Sequence, residues 1–479
     1  LNYSPVTLPF RFRSLSDSTV LAVSSTGDFT FLSAQELIWL QTSPESIPLD
    51  RQAQLRAKFF IGSRENRTGQ QRLIKSRIAA KRETVIKGPS LHIIVPTAHC
   101  AHSCKYCQVS RSLDEQGYTM SLSDLDAACD TIFQSRSKAL TVEFQGGDPL
   151  LRFDLVRHAI LRITARNAVE GRIVRFVIAS SLHQLTAEMC AFFKAHAVLL
   201  STSVDGPLEL HNRNRPTATR DAYQRTVSGI ELARNELGPD SVSALMTTTK
   251  DSLTQPEAIV DEYVKLGLSA IFLRPLSSYG FAKRNQALLG YSLEQYADFY
   301  ERGLNRVLYW NRQGVELREV YTSIILNKLL STFDNGYVDL QSPTGSGTSV
   351  LVYNHDGFVY PSDEARMLSA MGDHSLRMGR IGNSMTDLLE SSVASDLVSA
   401  SLTENNPVCM NCTYNLFCAP NPVDAHAQHG NRFAMPSDTE HCKRHLWLFD
   451  QAYIRIRDAN EETLTTFYRW AAPHSTQDI

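Results

Sequence analysis

The chain has 479 residues, 43% of them hydrophobic and 20% charged, so it exceeds one ordinary domain, can bury a large core and is not disordered overall. Lys and Arg total 48 against 50 Asp and Glu, a formal net charge of −2, so no strong overall field draws it to nucleic acid or an anionic membrane. No apolar run approaches the length of a bilayer span, and no charged segment followed by an apolar one opens the chain, so neither a membrane nor nucleic acid is an expected partner. Nine cysteines are present, and seven fall in two tight groups: Cys100, Cys104 and Cys107, then Cys409, Cys412, Cys418 and Cys442. A secreted disulfide protein spreads its cysteines, whereas tight groups point to metal or redox chemistry in a reducing cytoplasm, the location expected here.

In chain order, residues 6–12, 19–23 and 28–32 read as three short strands with a turn at 25–27, and residues 34–41 and 51–60 as helices. Residues 63–88 are basic, with Arg64, Arg67, Arg72, Lys75, Arg77, Lys81, Arg82 and Lys87, and read as a solvated linker or helix face. Residues 1–75 are therefore expected to form a small β-then-α module with a basic linker. From 90 to 277 apolar strands alternate with amphipathic helices. The strands are 91–96, 141–145, 173–180, 198–204, 242–249 and 270–276, and the helices 122–134, 153–168, 185–196, 221–237 and 256–266. Strands without polar alternation have both faces covered, so this is a parallel α/β domain with right-handed crossovers. Periodicity alone leaves an open doubly wound sheet and a partial barrel both possible. Cys129 and Cys190 lie on apolar helical stripes and read as small buried hydrophobes. A long helix at 293–311 follows, then a hairpin at 350–361 turning at Asp356–Gly357. The expected divisions are 1–75, 76–330 and 331–479.

The segment TAHCAHSCKYCQVS places Cys100, Cys104 and Cys107 directly after the first of the six strands. Three thiolates on one loop can hold three irons of a 4Fe–4S cube and leave the fourth open, although a zinc site completed by His99 or His102 has a similar spacing. This motif resembles that of radical S-adenosylmethionine (SAM) enzymes. The resemblance implies SAM chelated at the open iron and cleaved by one electron to a 5′-deoxyadenosyl radical. It implies an adenine contact at Tyr106. Gln145-Gly146-Gly147-Asp148-Pro149 is similar to the family's Gly-Gly-Glu-Pro segment, with Asp148 toward the methionine ammonium. Ser180 and Ser181 follow the third strand where the family has polar residues near the ligand. Ser203-Val204-Asp205-Gly206-Pro207, with Arg215 beyond, resembles the family's Ser-x-Asp-Gly-Pro…Arg segment, Ser203 facing ribose or carboxylate and Arg215 the carboxylate. Each of these motifs falls at the C-terminal end of a predicted strand, where parallel α/β folds build their sites. The family's six-unit TIM-type partial (β/α)6 barrel is therefore expected over the doubly wound sheet.

Cys409, Cys412, Cys418 and Cys442 make a complete four-thiolate set, which could also be a structural zinc knot. Their spacing resembles the SPASM and twitch domains of radical SAM enzymes that act on peptides, with Ser362 and Pro422 where those often have further cysteines. The resemblance implies one fully ligated auxiliary 4Fe–4S cluster in a cysteine-rich C-terminal domain. It also points to Asp363 and Glu364 as candidate proton acceptors, Asp363 matching the acid of sulfatase-maturing enzymes; otherwise Asp363 is a hairpin-end carboxylate paired with Arg366. The opening strands and helices look like the winged-helix leader-recognition module of peptide-modifying enzymes. Together with LPFRFR, His92 and PSDEARM, the chain most resembles maturases of His-Xaa-Ser type systems. The implied partners are a small precursor peptide with a leader and an electron donor such as flavodoxin or ferredoxin. The implied reaction is hydrogen abstraction leading to an intramolecular cross-link, a cyclophane-type C–C bond first, with thioether formation, epimerisation or formylglycine generation as alternatives. A zinc-stabilised, non-catalytic peptide-binding protein is the rival from another class.

Overall fold

The computed structural model describes residues 5–63, 67–113, 116–331 and 335–472; Arg64 lies outside them. They divide into two units, one from the described parts of Lys87–Ser323 and Ser346–Leu397, the other from those of Leu1–Ile86, Ile324–Gly345 and Val398–Pro473.

The second of these begins with β1 (Pro5–Thr7), β2 (Phe10–Ser16), β3 (Thr19–Ser24) and β4 (Phe29–Leu32), followed by helices Ala34–Thr42 and Leu49–Ala57, then β5 (Ile61–Ser63) and helix Arg67–Ile86. Strands β2, β3 and β4 form an antiparallel sheet in that order, and β1 pairs with β5. Strand β3 is buried along almost its whole length, so it feeds two cores. Val20 and Ala22 pack with Leu40 and Leu55 of the following helices and with Phe60 just before β5. Leu21 and Val23, on the other face as a strand's two-residue period requires, pack with Tyr414, Phe417, Phe449 and Tyr453. The opening sheet and the late cysteine segment thus share one hydrophobic core. The basic stretch is helical, and its Arg77 pairs with Asp28 at 2.6 Å.

The other unit carries β6 (Leu91–Thr97), β7 (Ala139–Gly146), β8 (Ile173–Ala179), β9 (Leu199–Ser203), β10 (Val242–Thr247), β11 (Ala270–Ile271), β12 (Leu273–Arg274), β13 (Arg318–Glu319), β14 (Val350–Tyr353), β15 (Phe358–Tyr360) and β16 (Gly379–Arg380). Nine of these form one sheet in the order β12-β10-β9-β8-β7-β6-β14-β15-β16, parallel from β12 to β14. Helices Leu122–Ile132, Phe153–Glu170, Ala187–Ala195, Ala222–Leu237 and Pro256–Lys265 fall between the strands as their periodicity predicts. With helix Leu293–Arg312 following β12, six strand–helix units make the α/β partial barrel. Two departures have local causes. The predicted strand at 270–276 splits at Phe272, so β11 pairs with β13 while β12 stays with β10. The 350–361 hairpin does turn at Asp356–Gly357, and its first strand also adds to the parallel sheet, with Val352 opposite Ile93. Cys129 and Cys190 are buried in the helices as expected.

Candidate radical SAM site and second cysteine cluster

The first thiol group sits where β6 ends. The loop carrying it is held mainly by backbone. Cys100 N–H donates to Ser112 O at 2.9 Å, Ser103 N–H to Pro216 O at 2.8 Å, Lys105 N–H to Asn214 O at 3.0 Å and Phe281 N–H to Cys107 O at 2.8 Å. Asn285 Nδ2 donates to Lys105 O at 2.7 Å. The loop is thus clamped through main-chain groups on both sides, and its Tyr106 packs with Ala282 and Leu289.

The Gly-Gly pair after β7 lies directly against this loop. Gly147 N–H donates to Thr97 O and Asp148 N–H to His99 O. Gly146 has φ near +135°, and a Cβ there would stand 2.1 Å from Thr97 O; one on Gly147 would stand 2.1 Å from His99 O. No side chain fits either place, so glycine is needed for the approach of two backbones.

Asp148 is 1% exposed and both its oxygens are occupied. Oδ1 accepts from Ser180 Oγ at 2.7 Å and from Leu150 N–H at 3.1 Å. Oδ2 accepts from Ser181 Oγ and from Ser181 N–H. The carboxylate joins the loops after β7 and β8, and with four donors it has no lone pair to spare. The hydroxyls of Ser180 and Ser181 are turned inward to it.

After β9, Asp205 is wholly buried and accepts from Tyr106 Oη at 2.9 Å; Arg215 Nη1 donates to the same hydroxyl at 2.7 Å. Burial pushes the Asp205 carboxyl up, opposed by the charge of Arg215 and the Tyr106 hydrogen bond. Thus Tyr106, Asp205 and Arg215 are brought together across 109 positions of sequence. Asp205 Oδ2 and Arg215 Nε, both buried, meet no hydrogen-bond partner among the described residues. Ser203 is half-buried at the end of β9.

Burial also pushes the thiols up: Cys104 to about 11, with Arg215 opposing, and Cys100 further, with Asp148 and Cys104 adding to it. Buried thiols hold their protons until a cation replaces them, as the donor set of an iron–sulfur cube requires. Three thiols on a clamped loop, a glycine cradle against it and orphaned buried polar atoms beside it fit a cube with a polar ligand on its open iron. No three His, Cys, Asp or Glu side chains among the described residues gather closely enough to hold a single metal ion.

One residue that the sequence reading missed is Glu143. Along β7, Leu140, Val142 and Phe144 are buried while Thr141, Glu143 and Gln145 on the alternate face are less so. Gln145 Nε2 donates to Glu143 Oε1 at 2.8 Å. Burial raises the Glu143 carboxyl to about 7; the Gln145 bond opposes this, the charge of Asp363 adds to it and Arg274 opposes it. A polar residue at alternate positions of an otherwise apolar strand (TVEFQGG) was the available signal. Asp363 begins helix Asp363–Ala370, and its Oδ1 accepts from Arg366 Nε at 2.8 Å and from Arg366 Nη2. Ser362 caps that helix by accepting from Ala365 N–H, which accounts for a hydroxyl there. Glu364 lies beside Asp363 in the same first turn.

The second cysteine group lies in the other unit. Cys409 is on the short helix Pro407–Asn411, Cys412 at its C-terminal cap, Cys418 in the loop beyond and Cys442 in the first turn of helix Glu440–Asp458. Thr439 Oγ1 caps that helix, accepting from Cys442 N–H at 3.2 Å, and Tyr414 N–H points at Cys412 Sγ at 3.4 Å. Cys409 is raised to about 12 by burial, then by Cys412 and Cys442. Cys418 is raised by burial, then by Cys412, Cys442 and Cys409. All four thiols therefore lie within each other's electrostatic reach, although Cys409 and Cys442 are far apart in the chain. Pro422 opens helix Pro422–His429 at its first position, where a missing N–H costs nothing.

Comparison with known proteins bears on both units. Residues 94–263 match the Radical SAM superfamily. An uncharacterized protein of Archaeoglobus fulgidus is 24% identical over 399 residues, covering 81% of this chain and 86% of that one. One of Methanothermobacter thermautotrophicus is 27% identical over 179 residues, 37% of this chain and 64% of its own length, so the match spans under two thirds of that relative. Among solved structures, native anSMEcpe with bound AdoMet superposes with a TM-score of 0.64 at 15% identity, over 79% of this chain and 99% of that one. Streptococcus suis SuiB bound to precursor peptide SuiA gives 0.56 at 13% identity, over 91% and 99%. At such identities the likeness is one of fold. No helix among the described residues is long and apolar enough to cross a membrane. With its thiol loop, glycine cradle and strand order in place, the segment 94–263 is the part of the chain that matches the Radical SAM superfamily.

Proposed function

We propose that this radical SAM enzyme modifies a ribosomally made precursor peptide, removing a side-chain hydrogen and closing an intramolecular cross-link, a cyclophane-type C–C bond in the first instance. The observation that carries the reading is the clamped three-thiol loop set against the Gly146–Gly147 cradle at the C-terminal ends of parallel strands. A cube on those thiols with SAM at its open iron supplies a carbon radical able to take hydrogen from an unactivated carbon. Cys100, Cys104 and Cys107 would hold the cube. Tyr106, Asp205 and Arg215 would order the loop edge that faces the nucleoside and the carboxylate, with Ser203 and Gln145 beside them. Asp148 would act by fixing the loops after β7 and β8, since its oxygens are already engaged, and Gly146 and Gly147 by admitting the ligand to the backbone.

A peptide substrate is supported by anSMEcpe, seen with bound AdoMet and a Kp18Cys peptide at TM-score 0.65, and by SuiB, seen with its precursor peptide. Glu143 would accept the proton released when the substrate radical is oxidised, with Asp363, bonded to Arg366, and Glu364 next along the helix as the other candidate acceptors. Cys409, Cys412, Cys418 and Cys442 would hold a fully ligated auxiliary 4Fe–4S cluster, suited to electron transfer because no iron is left for substrate. A flavodoxin or ferredoxin would deliver the starting electron, and the opening sheet would receive the leader as an added strand.

The test is anaerobic purification followed by incubation with SAM and a reductant, then co-expression with a precursor peptide encoded beside the enzyme. The expected result is brown protein, 5′-deoxyadenosine in the mixture and loss of one hydrogen pair per event in the peptide mass. Colourless, zinc-loaded protein that leaves SAM intact sinks the reading.

A further inference from the structure

The hairpin that extends the parallel sheet leaves β14 in a turn with buried polar groups that nothing satisfies. Asn354 follows β14 directly. Its N–H donates to Phe358 O at 3.0 Å and its carbonyl accepts from Gly357 N–H at 3.0 Å, so its main chain is engaged. Its side chain is not: the residue is 4% exposed, and its Oδ1 is buried with no hydrogen-bond partner among the described residues. Both ring nitrogens of His355, the next residue, are in the same condition. Asp356 is occupied elsewhere, Oδ1 with Phe358 N–H at 3.2 Å and Oδ2 with Tyr360 Oη at 2.7 Å. A buried acceptor without a donor costs stability, so its retention calls for a reason.

The strand register locates this carboxamide. Val352 lies opposite Ile93 and Ile93 opposite Glu143, so the three share one sheet face, away from buried Val142 and Phe144. Asn354 comes two residues after Val352, and Gln145 two after Glu143, each on that same face by the two-residue period. Tyr353 lies opposite Ile94, which sets Asn354 beside Val95, near the end of β6 from which the thiol loop departs. Strands β14 and β7 flank β6 and stand roughly 10 Å apart. The residues that would meet SAM follow β6, β7, β8 and β9, whereas β14 is on the other side of β6. We infer that the Asn354 carboxamide is a substrate-binding group: its Oδ1 accepts a main-chain N–H of the peptide and sets the target residue on the face that carries Glu143. The inference rests on the reading of the substrate as a peptide. A peptide main chain offers a neutral N–H at almost every residue, which a neutral acceptor takes without burying net charge. An anionic ligand would meet Glu143 on the same face.

The experiment uses the full chain, loaded with iron and sulfide, and the precursor peptide encoded beside it. Peptide modification is followed by mass spectrometry at varied peptide concentration for the parent, Asn354→Leu and Asn354→Ala, and thermal unfolding is measured for each without peptide. Leucine nearly keeps the shape of asparagine and removes its polar atoms. The expected result for Asn354→Leu is a peptide KM raised roughly tenfold, as the loss of one neutral hydrogen bond gives. Its kcat should change far less, and its Tm should be no lower than the parent's, because an orphaned polar group has gone. Asn354→Ala should raise the KM alike, which keeps the test decisive if the leucine variant does not fold. A parental KM in either folded variant overturns the inference while the peptide reading stands. A KM that rises for SAM and not for the peptide also overturns it, since the carboxamide would then serve the cofactor. A raised peptide KM with a lowered Tm in Asn354→Leu marks a structural asparagine and overturns it too. A parent that modifies no peptide overturns the peptide reading, and the inference with it.

Discussion

At the scale of single residues, Asp148 and Glu143 stand in surroundings that their positions in the sequence do not suggest. Asp148 stands in the Gly-Gly-Asp-Pro turn, where an acid facing a ligand is expected, yet its oxygens are filled by Ser180, Ser181 and Leu150. Glu143 lies three residues before the first glycine in a strand that reads as apolar, and burial moves its pKa up to about 7. A carboxyl raised above its ordinary value favours folding most while protonated. That contribution is complete below the ordinary carboxylate range and declines as pH rises through about 7. As a proton acceptor it works in the opposite sense, being competent only when ionised. Product formation from a peptide substrate should therefore rise with pH through about 7. Glu143→Gln should remove that limb and lower the rate on the order of 10²–10⁴-fold, while 5′-deoxyadenosine still accumulates. A pH–rate profile that keeps its limb in the variant would place the acceptor elsewhere, with Asp363 next in line.

Among elements, the decisive contact is between the loop after β6 and the turn after β7. Strand β7 ends at Gly146 with Gly147 next because the backbone of Thr97, Ala98 and His99 occupies the space where side chains would project. Gly147→Ala puts a methyl group 2.1 Å from His99 O and can be relieved only by moving the thiol loop. A displacement of about 1 Å in a reacting geometry costs on the order of 100-fold, so SAM cleavage by this variant should fall by at least that factor. Measuring 5′-deoxyadenosine release at matched iron content separates displacement from loss of the cube. An undiminished rate would mean that the two backbones do not meet in the working enzyme. The helices between strands are legible in the sequence for a different reason: Leu122–Ile132, Phe153–Glu170 and Pro256–Lys265 each bury one apolar stripe.

For the whole molecule, the two cysteine groups lie in separate units and should load independently. Two cubes require about eight irons per chain. Replacing Cys409, Cys412, Cys418 and Cys442 by Ala should leave about four irons and persisting SAM cleavage, with peptide modification lost. Replacing Cys100, Cys104 and Cys107 should also leave about four irons but end SAM cleavage. Iron analysis paired with 5′-deoxyadenosine assay checks both, and loss of all iron from either variant would contradict independent loading. The sequence by itself determined the alternation of strands and helices, because apolar periodicity is local. It also determined the three-thiol loop, whose cysteines lie within eight consecutive residues. Only the tertiary structure decided that β3 serves two cores, that the 350–361 hairpin extends the parallel sheet beside β6, and that Arg11 comes to rest on the turn of Cys409 and Cys412. Those facts depend on which distant surfaces bury one another, and residues some four hundred positions apart leave no periodic trace of their meeting.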